Sequence, residues 1–479
     1  MTDRPEPDSE DENFAADCDR AIGDLLSPLG LSEEDRGAAR LDYPGEVPRL
    51  VARHRLTLAA AAAIGAQASV VAALWRHAGG PRQTIAIDKL QATAALHPAL
   101  FQRQGGAAMP ALLALKELKS DFYKTTDGRW FFPVGTYPHH RDGSLNLLNC
   151  ANNAEAIAAA VARWNGLALE EAWGEARLPG IMARTAAEWA EHPQGQLLSA
   201  MPTISIRRIG DAPPEPLPRG ERPLSGLRVL DVSHVIAGPA AARGFAEHGA
   251  DVLRISAPLQ PDPTAQILNT GIGKRSAYLD LKQADQAERA RGLLAEADVF
   301  VESWRPGAME RLGFGAERAF AARPGLVYVT VSAFGTTGPW GSRGGFEQLG
   351  QAAAGIAIVE GQPGKPRLVP TYLLNDYLTA YLATTGGLAA LLRRQREGGS
   401  WHVHVTLART SMWVRSLGLR EHPANPIRAE DMRPALETRD SPYGELQQVP
   451  PVAGFSDTPA HWDLPPQPLG ASAPAWLPR

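Results

Sequence analysis

Hydrophobic residues in the second half of the chain follow two alternating patterns. From residue 226 onward, β-branched runs such as GLRVLDVS, ADVLRIS, ADVFVES and GLVYVTVS are almost uninterrupted. Helical patterns such as AAARGFAEHG and QAERARGLLAEA separate them. This alternation is typical of a parallel sheet covered by helices on both faces. It predicts an α/β fold with a Rossmann-like parallel sheet over residues 226–420.

A long apolar run lies upstream of this region. Residues 56–75 (LTLAAAAAIGAQASVVAALW) carry no charge and are long enough to span a bilayer. Nine of these residues are alanine, which contributes little transfer free energy, and Gln67 and Ser69 interrupt the run. We therefore predict the buried helix of a soluble protein and no membrane partner.

The same pattern returns near the end of the chain. An apolar helix, a turn GGPRQ and a strand TIAID fill residues 56–88, and a similar helix, Gly-Gly turn and strand fill residues 378–406. A single copy about 320 residues away indicates duplication or fusion rather than a solenoid.

Changes in composition divide the rest of the chain. Strand-like DGRWFFPVGTY and two short helical patterns predict a small α+β domain, and Pro-rich segments flank the sheet region. We expect pieces from both chain ends to complete the large sheet domain. The predicted organisation is an acidic tail and short helix (1–50), a helix/strand segment (51–118), the small α+β domain (119–204), a Pro-rich linker (205–225), the large α/β domain (226–420) and a Pro-rich tail draped over the body (421–479).

Charge and cysteine content exclude several classes of protein. The chain has 479 residues, a net charge of -4 and a pI near 6.3, which argues against nucleic acid or an anionic membrane as partner. Cys18 and Cys150 are too few for a disulfide framework, so a reducing cytoplasm is predicted. The acidic start MTDRPEPDSEDE is unlike a signal peptide.

Common catalytic motifs are missing from the sequence. The first βα loop, SHVIAGPAAA, lacks GxGxxG, and GxSxG, P-loop and HExxH motifs do not occur. His402 and His404 share a strand face, and His139 and His140 stand in a predicted loop, but neither pair has a third ligand nearby. We predict no metal and no permanently bound cofactor.

An acid at a helix start is the remaining candidate. Asn375 and Asp376 precede the second apolar helix, and either could be its N-cap. A structural cap is one interpretation. In the other, the helix dipole contributes about 0.3–1 kcal/mol to keeping the Asp376 carboxylate ionised for attack on an activated carbonyl.

Residues 224–410 resemble the amino-terminal half of family III CoA-transferases. The matching pieces are LSGLRVLDVSHVIAGPAAA, GADVLRIS, GKRSAYLDLK, EADVFVESWRPGAMERLGFG, LVYVTVSAFGTTGPW and RGGFEQLGQAAAG, followed by the helix that contains Asp376. The first half of the chain resembles the family's second half, so the family segments stand in permuted or fused order. The resemblance implies a homodimer that uses an acyl-CoA and a carboxylic acid as substrates.

The resemblance also implies roles for individual residues. Asp376 takes the position of the family's catalytic aspartate, which forms an aspartyl anhydride and then an aspartyl-CoA thioester. The implied CoA-binding residues are His234, Val235, Ala237, Leu279, Lys282, Trp304, Arg311 and Arg343.

Several positions depart from the family pattern. Ile236 stands where the transferases often have Gln, Ser303 where Asn is common, and Ala257 where some have a basic residue. A glycine-rich lid is missing from the small-domain segment. An acyl-CoA racemase or isomerase of the same fold is an alternative, although Phe346 replaces the racemase histidine. A degenerate CoA-binding pseudoenzyme is a second alternative.

Overall fold

The computed structural model describes residues 13–109, 118–258, 262–423 and 425–478. The predicted acidic segment 1–12 lies outside the described residues. The helices are α1 (Phe14–Leu26), α2 (Glu33–Arg36), α3 (Leu56–His77), α4 (Lys89–Ala94), α5 (Pro138–Leu148), α6 (Ala154–Val161), α7 (Gly166–Glu175), α8 (Ala186–Glu191), α9 (Pro193–Ser199), α10 (Ala237–Ala246), α11 (Thr264–Thr270), α12 (Ala284–Ala295), α13 (Ala308–Leu312), α14 (Ala316–Ala322), α15 (Glu347–Ala353), α16 (Ile356–Gly361), α17 (Asn375–Glu397) and α18 (Leu407–Ser416).

The strands form four sheets. They are β1 (Ala39–Asp42), β2 (Gln83–Ile87), β3 (Arg103–Gln104), β4 (Ala107–Ala108), β5 (Tyr123–Lys124), β6 (Trp130–Pro133), β7 (Gly180–Met182), β8 (Ser205–Ile209), β9 (Arg228–Asp231), β10 (Asp251–Ser256), β11 (Arg275–Tyr278), β12 (Val299–Glu302), β13 (Val327–Ser332), β14 (Ser400–Thr406), β15 (Glu437–Ser441), β16 (Gly444–Gln448) and β17 (Ala453–Phe455).

A seven-stranded sheet carries the second half of the chain. Its strand order is β11-β10-β9-β12-β13-β14-β8, and the pairs from β11 to β14 are all parallel. Strands β12 and β13 are buried along their whole length, because helices cover both faces and β-branched side chains fill the space. The predicted α/β fold with a parallel sheet is confirmed.

The edge strand β8 corrects the predicted linker. Residues 205–225 were expected to connect two domains, but Ser205–Ile209 pairs antiparallel with β14, with Ser205 opposite His404. Arg207 and Arg208 of this strand are exposed. An edge strand tolerates such polar side chains, so its sequence looks like that of a linker.

Two long apolar helices pack against each other beside this sheet. Helix α3 is long and apolar enough to cross a membrane, yet its whole apolar window is buried inside the protein against α17 and α1. Helix α17 is also buried over most of its length and contacts β13 and β14. The helices of the two predicted repeat units therefore lie side by side, whereas their strands β2 and β14 belong to different sheets. The permuted order remains a prediction.

The two chain ends meet in a sheet of their own. Strand β2 pairs parallel with β1 and antiparallel with β17. These strands form a three-stranded sheet that is separate from the large sheet. The Pro-rich tail also contains a hairpin, β15–β16, which pairs with β3. After β17 the tail runs over the large sheet's helices, where Trp476 Nε1 donates to the carbonyl of Leu293 at 3.0 Å.

Residues 119–204 form a small lobe around the sheet β5-β6-β7. Its core packs Phe131 against Trp173, with ring centroids 5.0 Å apart. His139 and His140, predicted in a loop, instead lie in the first turn of α5. Pro138 occupies the first position of this helix, where its fixed φ favours helix initiation.

Candidate active site

The candidate site lies at the carboxyl-terminal edge of the parallel strands. The loops after β9, β11, β12 and β13 all leave the sheet at this edge, since these strands are parallel. Helix α17 crosses back from it to β14, so the amino terminus of α17 lies there too. Open parallel sheets bind ligands at this edge.

A pair of buried carboxyl groups marks the start of α17. The Glu347 carboxylate accepts hydrogen bonds from the backbone N–H groups of Asn375 and Asp376, the latter at 3.2 Å. Neither Asn375 nor Asp376 is the N-cap, and the structure records no side-chain cap for this helix from Leu374. The predicted capping role is therefore wrong, because Glu347 of α15 supplies the acceptor.

Burial and mutual repulsion shape the charge of this pair. Asp376 is 7% exposed and Glu347 is 1% exposed. Burial raises the pKa of Glu347 to about 7, while burial and the nearby Glu347 charge raise the pKa of Asp376 well above its usual range. Hydrogen bonds from backbone N–H groups and from Gln351 favour the ionised form of Glu347. The resting pair thus favours the protonated form of Asp376, whereas the helix dipole alone predicts an ionised carboxylate.

Packing around Asn375 fixes the start of α17. The Asn375 side chain donates to the carbonyl of Glu347 at 3.1 Å and accepts from Ser411 Oγ at 2.8 Å. A Cβ on Gly350 would lie 2.9 Å from Asn375 Nδ2, closer than real Cβ contacts. Glycine is therefore required where α15 crosses α17 and α18.

The loop after β9 brings several predicted CoA-binding residues together. The backbone N–H of His234 donates to Ser303 Oγ, and that hydroxyl donates to the carbonyl of His234, both at 3.1 Å. The rings of His234 and Trp304 stack with centroids 4.0 Å apart. Val235 adopts a φ of 66°, which a β-branched residue rarely takes. Such strain persists where the surroundings impose it, commonly at functional sites.

A buried ion pair holds both ends of this loop. Lys274 Nζ lies 2.7 Å from Asp231 at the end of β9 and donates to the carbonyl of Pro239 in α10 at 2.5 Å. Asp231 also accepts from the backbone N–H of Ser233 at 3.0 Å. Lys274 and Asp231 are almost completely buried, and burial lowers the pKa of Lys274 to about 8.

The remaining predicted CoA-binding residues lie in different surroundings. Ala237 starts α10 and Leu279 lies in the core, so both are buried. Lys282 is exposed in the loop after β11, and Arg311 is exposed in the last turn of α13, which follows β12. The Arg343 guanidinium lies 4.7 Å from the Trp340 ring centroid and directly against Gly174 of the small lobe. Arg343 thus also contacts the lobe.

The histidine pair of β14 is accounted for by the sheet. His402 Nε2 lies 3.0 Å from Thr330 Oγ1, and His404 Nε2 lies 2.8 Å from Ser332 Oγ. These contacts join neighbouring strands. Across the described part of the chain, no group of three metal-ligating side chains is present.

Comparison with known proteins assigns the second half of the chain. The model of CoA-transferase family III matches residues 224–460. Residues 224–460 of the chain belong to CoA-transferase family III. The match continues through most of the region predicted as tail. The predicted family relationship is therefore confirmed.

Named relatives match less than half of the chain. "Acetyl-coenzyme A transferase nodX" of Hypoxylon pulicicidum is 33% identical over 243 residues, which are 49% of this chain and 37% of that protein. "Succinyl-CoA--L-malate CoA-transferase alpha subunit" of Chloroflexus aurantiacus is 32% identical over 45% of this chain and 53% of that protein. A solved structure, "Hypothetical protein (Rv3272)" from Mycobacterium tuberculosis, is 33% identical, with a TM-score of 0.39 over 41% of this chain and 56% of that chain. The chain spans about half or less of the length of the curated relatives it matches.

Proposed function

We propose that the protein transfers CoA between an acyl-CoA thioester and a carboxylic acid, with Asp376 as the nucleophile. The Asp376 carboxylate attacks the thioester carbon and expels the CoA thiolate, which forms an aspartyl anhydride. The thiolate then attacks the aspartyl carbonyl, releases the first acid and leaves an aspartyl-CoA thioester. The acceptor carboxylate attacks that thioester, and the expelled thiolate takes the new acyl group and frees Asp376.

The buried carboxyl pair at the start of α17 is the observation that carries this proposal. Asp376 lies at the edge where parallel sheets bind ligands. Glu347 accepts the backbone N–H groups of the same turn and so leaves the Asp376 side chain out of the capping role. Each step exchanges one activated acyl bond for another, so the series of reactions needs no external energy source.

CoA itself would lie along the loops of the same edge. Trp304 and His234 present stacked rings, and Val235 and Ala237 supply backbone close to the helix start of α10. Lys282, Arg311 and Arg343 are the cations that we assign to the phosphates. Leu279 supports the β11 loop from the core.

Covalent trapping tests the proposal. The protein is incubated with acetyl-CoA or succinyl-CoA, chosen because relatives are named for transfer from these thioesters. Hydroxylamine then converts an activated aspartyl group to a hydroxamate, which peptide mass spectrometry locates. We expect modification of Asp376 that depends on the thioester. An unmodified Asp376 with both thioesters, under conditions where the protein binds CoA, would support the pseudoenzyme alternative.

The pH profile reports the carboxyl pair. Asp376 must lose its proton to attack, so kcat/KM for the thioester should rise about tenfold per pH unit below the apparent pKa of the pair and level off above it. Glu347→Gln removes the charge that raises the pKa of Asp376, so its ascending limb should move to lower pH. A profile that Glu347→Gln leaves in place would contradict this coupling.

Lys282→Ala tests phosphate binding. Loss of an exposed cation that contacts a phosphate should raise KM for acyl-CoA about three- to tenfold and leave kcat within about twofold. Gln283→Ala is the matched control, because the neighbouring Gln283 is exposed and its side chain makes no capping hydrogen bond. Equal KM values for the two variants would remove Lys282 from the site.

Location and assembly are part of the proposal. Cys18 and Cys150 are both free, which suits a reducing cytoplasm. We assign a homodimer, and light scattering coupled to size-exclusion chromatography tests it. A monomeric mass across the micromolar range would overturn this assignment.

A further inference from the structure

The small lobe closes one side of the candidate site with aromatic and imidazole rings. His140, in the first turn of α5, packs edge-on against Phe346 with ring centroids 5.7 Å apart. Tyr137 lies between His140 and His234, at 5.9 Å and 6.4 Å from their ring centroids. Phe346 immediately precedes Glu347. A residue of the lobe thus contacts the residue that precedes Glu347, and Tyr137 connects it to the loop of His234.

His140 has a buried nitrogen without a partner. The residue is 8% exposed, and its Nδ1 has no hydrogen-bond partner among the described residues. A buried polar atom costs stability when it is left unpaired, and native proteins pair nearly all such atoms. The hydroxyl of Tyr137, the neighbouring polar group of this wall, does have a partner. Tyr137 OH donates to Asp262 at 2.7 Å, and the same carboxylate accepts from Arg254 at 2.7 Å.

The charges around His140 favour an oxygen ligand. Burial lowers the pKa of His140 to about 3, and the nearby His139, Arg305 and His234 add to this effect. The ring is therefore neutral, and in the tautomer that carries a proton on Nδ1 it can donate one hydrogen bond. A partially negative carbonyl oxygen suits both this donor and the nearby Arg305 guanidinium, whereas burial lowers the pKa of His234.

We infer that His140 donates a hydrogen bond from Nδ1 to the carbonyl oxygen of the bound acyl-CoA thioester. Negative charge grows on this oxygen when Asp376 attacks the thioester carbon, so the bond strengthens in the transition state. The small lobe thereby contributes a catalytic residue to the sheet domain's site. The inference rests on the proposed function, because it concerns the same thioester.

Single-turnover modification of Asp376 by acetyl-CoA and succinyl-CoA tests the inference. In acyl-transfer enzymes, removal of one hydrogen-bond donor to the oxyanion lowers the rate of the chemical step by about 10²-fold. We expect the same effect from His140→Ala at saturating thioester. His140→Asn places an amide nitrogen at the position of Nδ1 and should recover much of the rate. His140→Gln places it near Nε2 and should not.

Two controls keep the outcomes separate. Asp142→Asn changes an exposed residue of the same helix, paired with Arg141, and should leave the rate unchanged. Thermal unfolding of each variant reports on folding, and His140→Asn provides a second variant should His140→Ala fold poorly. A His140→Ala rate within twofold of wild type, or rescue by Gln equal to that by Asn, would overturn the inference. Absence of modification in the wild-type protein would instead overturn the proposed function itself.

Discussion

Asp376→Asn should lower CoA transfer by about 10³-fold or more and abolish the covalent adduct. The amide has no carboxylate oxygen to attack the thioester, and loss of a nucleophile has effects of this size in enzymes with covalent intermediates. Asn has nearly the same shape as a protonated Asp, the form that burial favours in the resting protein. Stability should therefore stay the same or increase, so the lost activity cannot be attributed to unfolding.

Initial rates with acetyl-CoA or succinyl-CoA and L-malate, together with mass spectrometry after hydroxylamine, provide the measurement. Asp24→Asn is the control, since Asp24 is an exposed residue of α1. A variant Asp376→Asn that keeps a tenth of wild-type activity would exclude a covalent role for this residue. Solvent deuterium at the α-carbon of a 2-methylacyl-CoA, with no CoA transfer, would favour the racemase.

The strands of the large sheet could be predicted because buried strands are rich in β-branched residues and carry few polar ones. Strand β13 (Val327–Ser332) is buried at every position, and its β-branched run identifies it without any knowledge of its neighbours. Strand β8 could not be predicted in this way. It forms an edge and is stabilised by pairing with β14, a contact about 195 residues away along the chain.

The residues of the candidate site likewise divide into one that the sequence identifies and others that only tertiary contacts reveal. Asp376 was identified through resemblance, supported by its place at a helix start. The role of Glu347 was missed because it caps a helix that begins 28 residues later, a tertiary contact that no local spacing reveals. His140 was missed for a similar reason. Its partner ring, Phe346, belongs to another domain, and the sequence around His139 and His140 predicts a loop rather than the start of a helix.

Lys274→Met should destabilise the protein by about 3–5 kcal/mol, the usual cost of leaving a buried charge without its partner. The substitution preserves much of the apolar stem but leaves Asp231, which is completely buried, without its cation. It also releases the carbonyl of Pro239, so the loop of His234 loses the contact that joins its two ends. CoA binding should weaken together with stability.

Guanidinium unfolding midpoints and CoA binding by calorimetry check this expectation. The double variant Asp231→Asn/Lys274→Met should lose less stability than Lys274→Met alone, because neither buried charge remains. Lys119→Met is the surface control, since Lys119 is exposed, and its free energy of unfolding should lie within about 0.5 kcal/mol of the wild-type value. If the double variant were as unstable as the single one, the loss would come from packing around the methionine rather than from the uncompensated charge. A Lys274→Met protein as stable as wild type would show that Asp231 becomes protonated or hydrated at little cost. In that case the Lys274–Asp231 ion pair would not be needed to hold the loop of His234 in place.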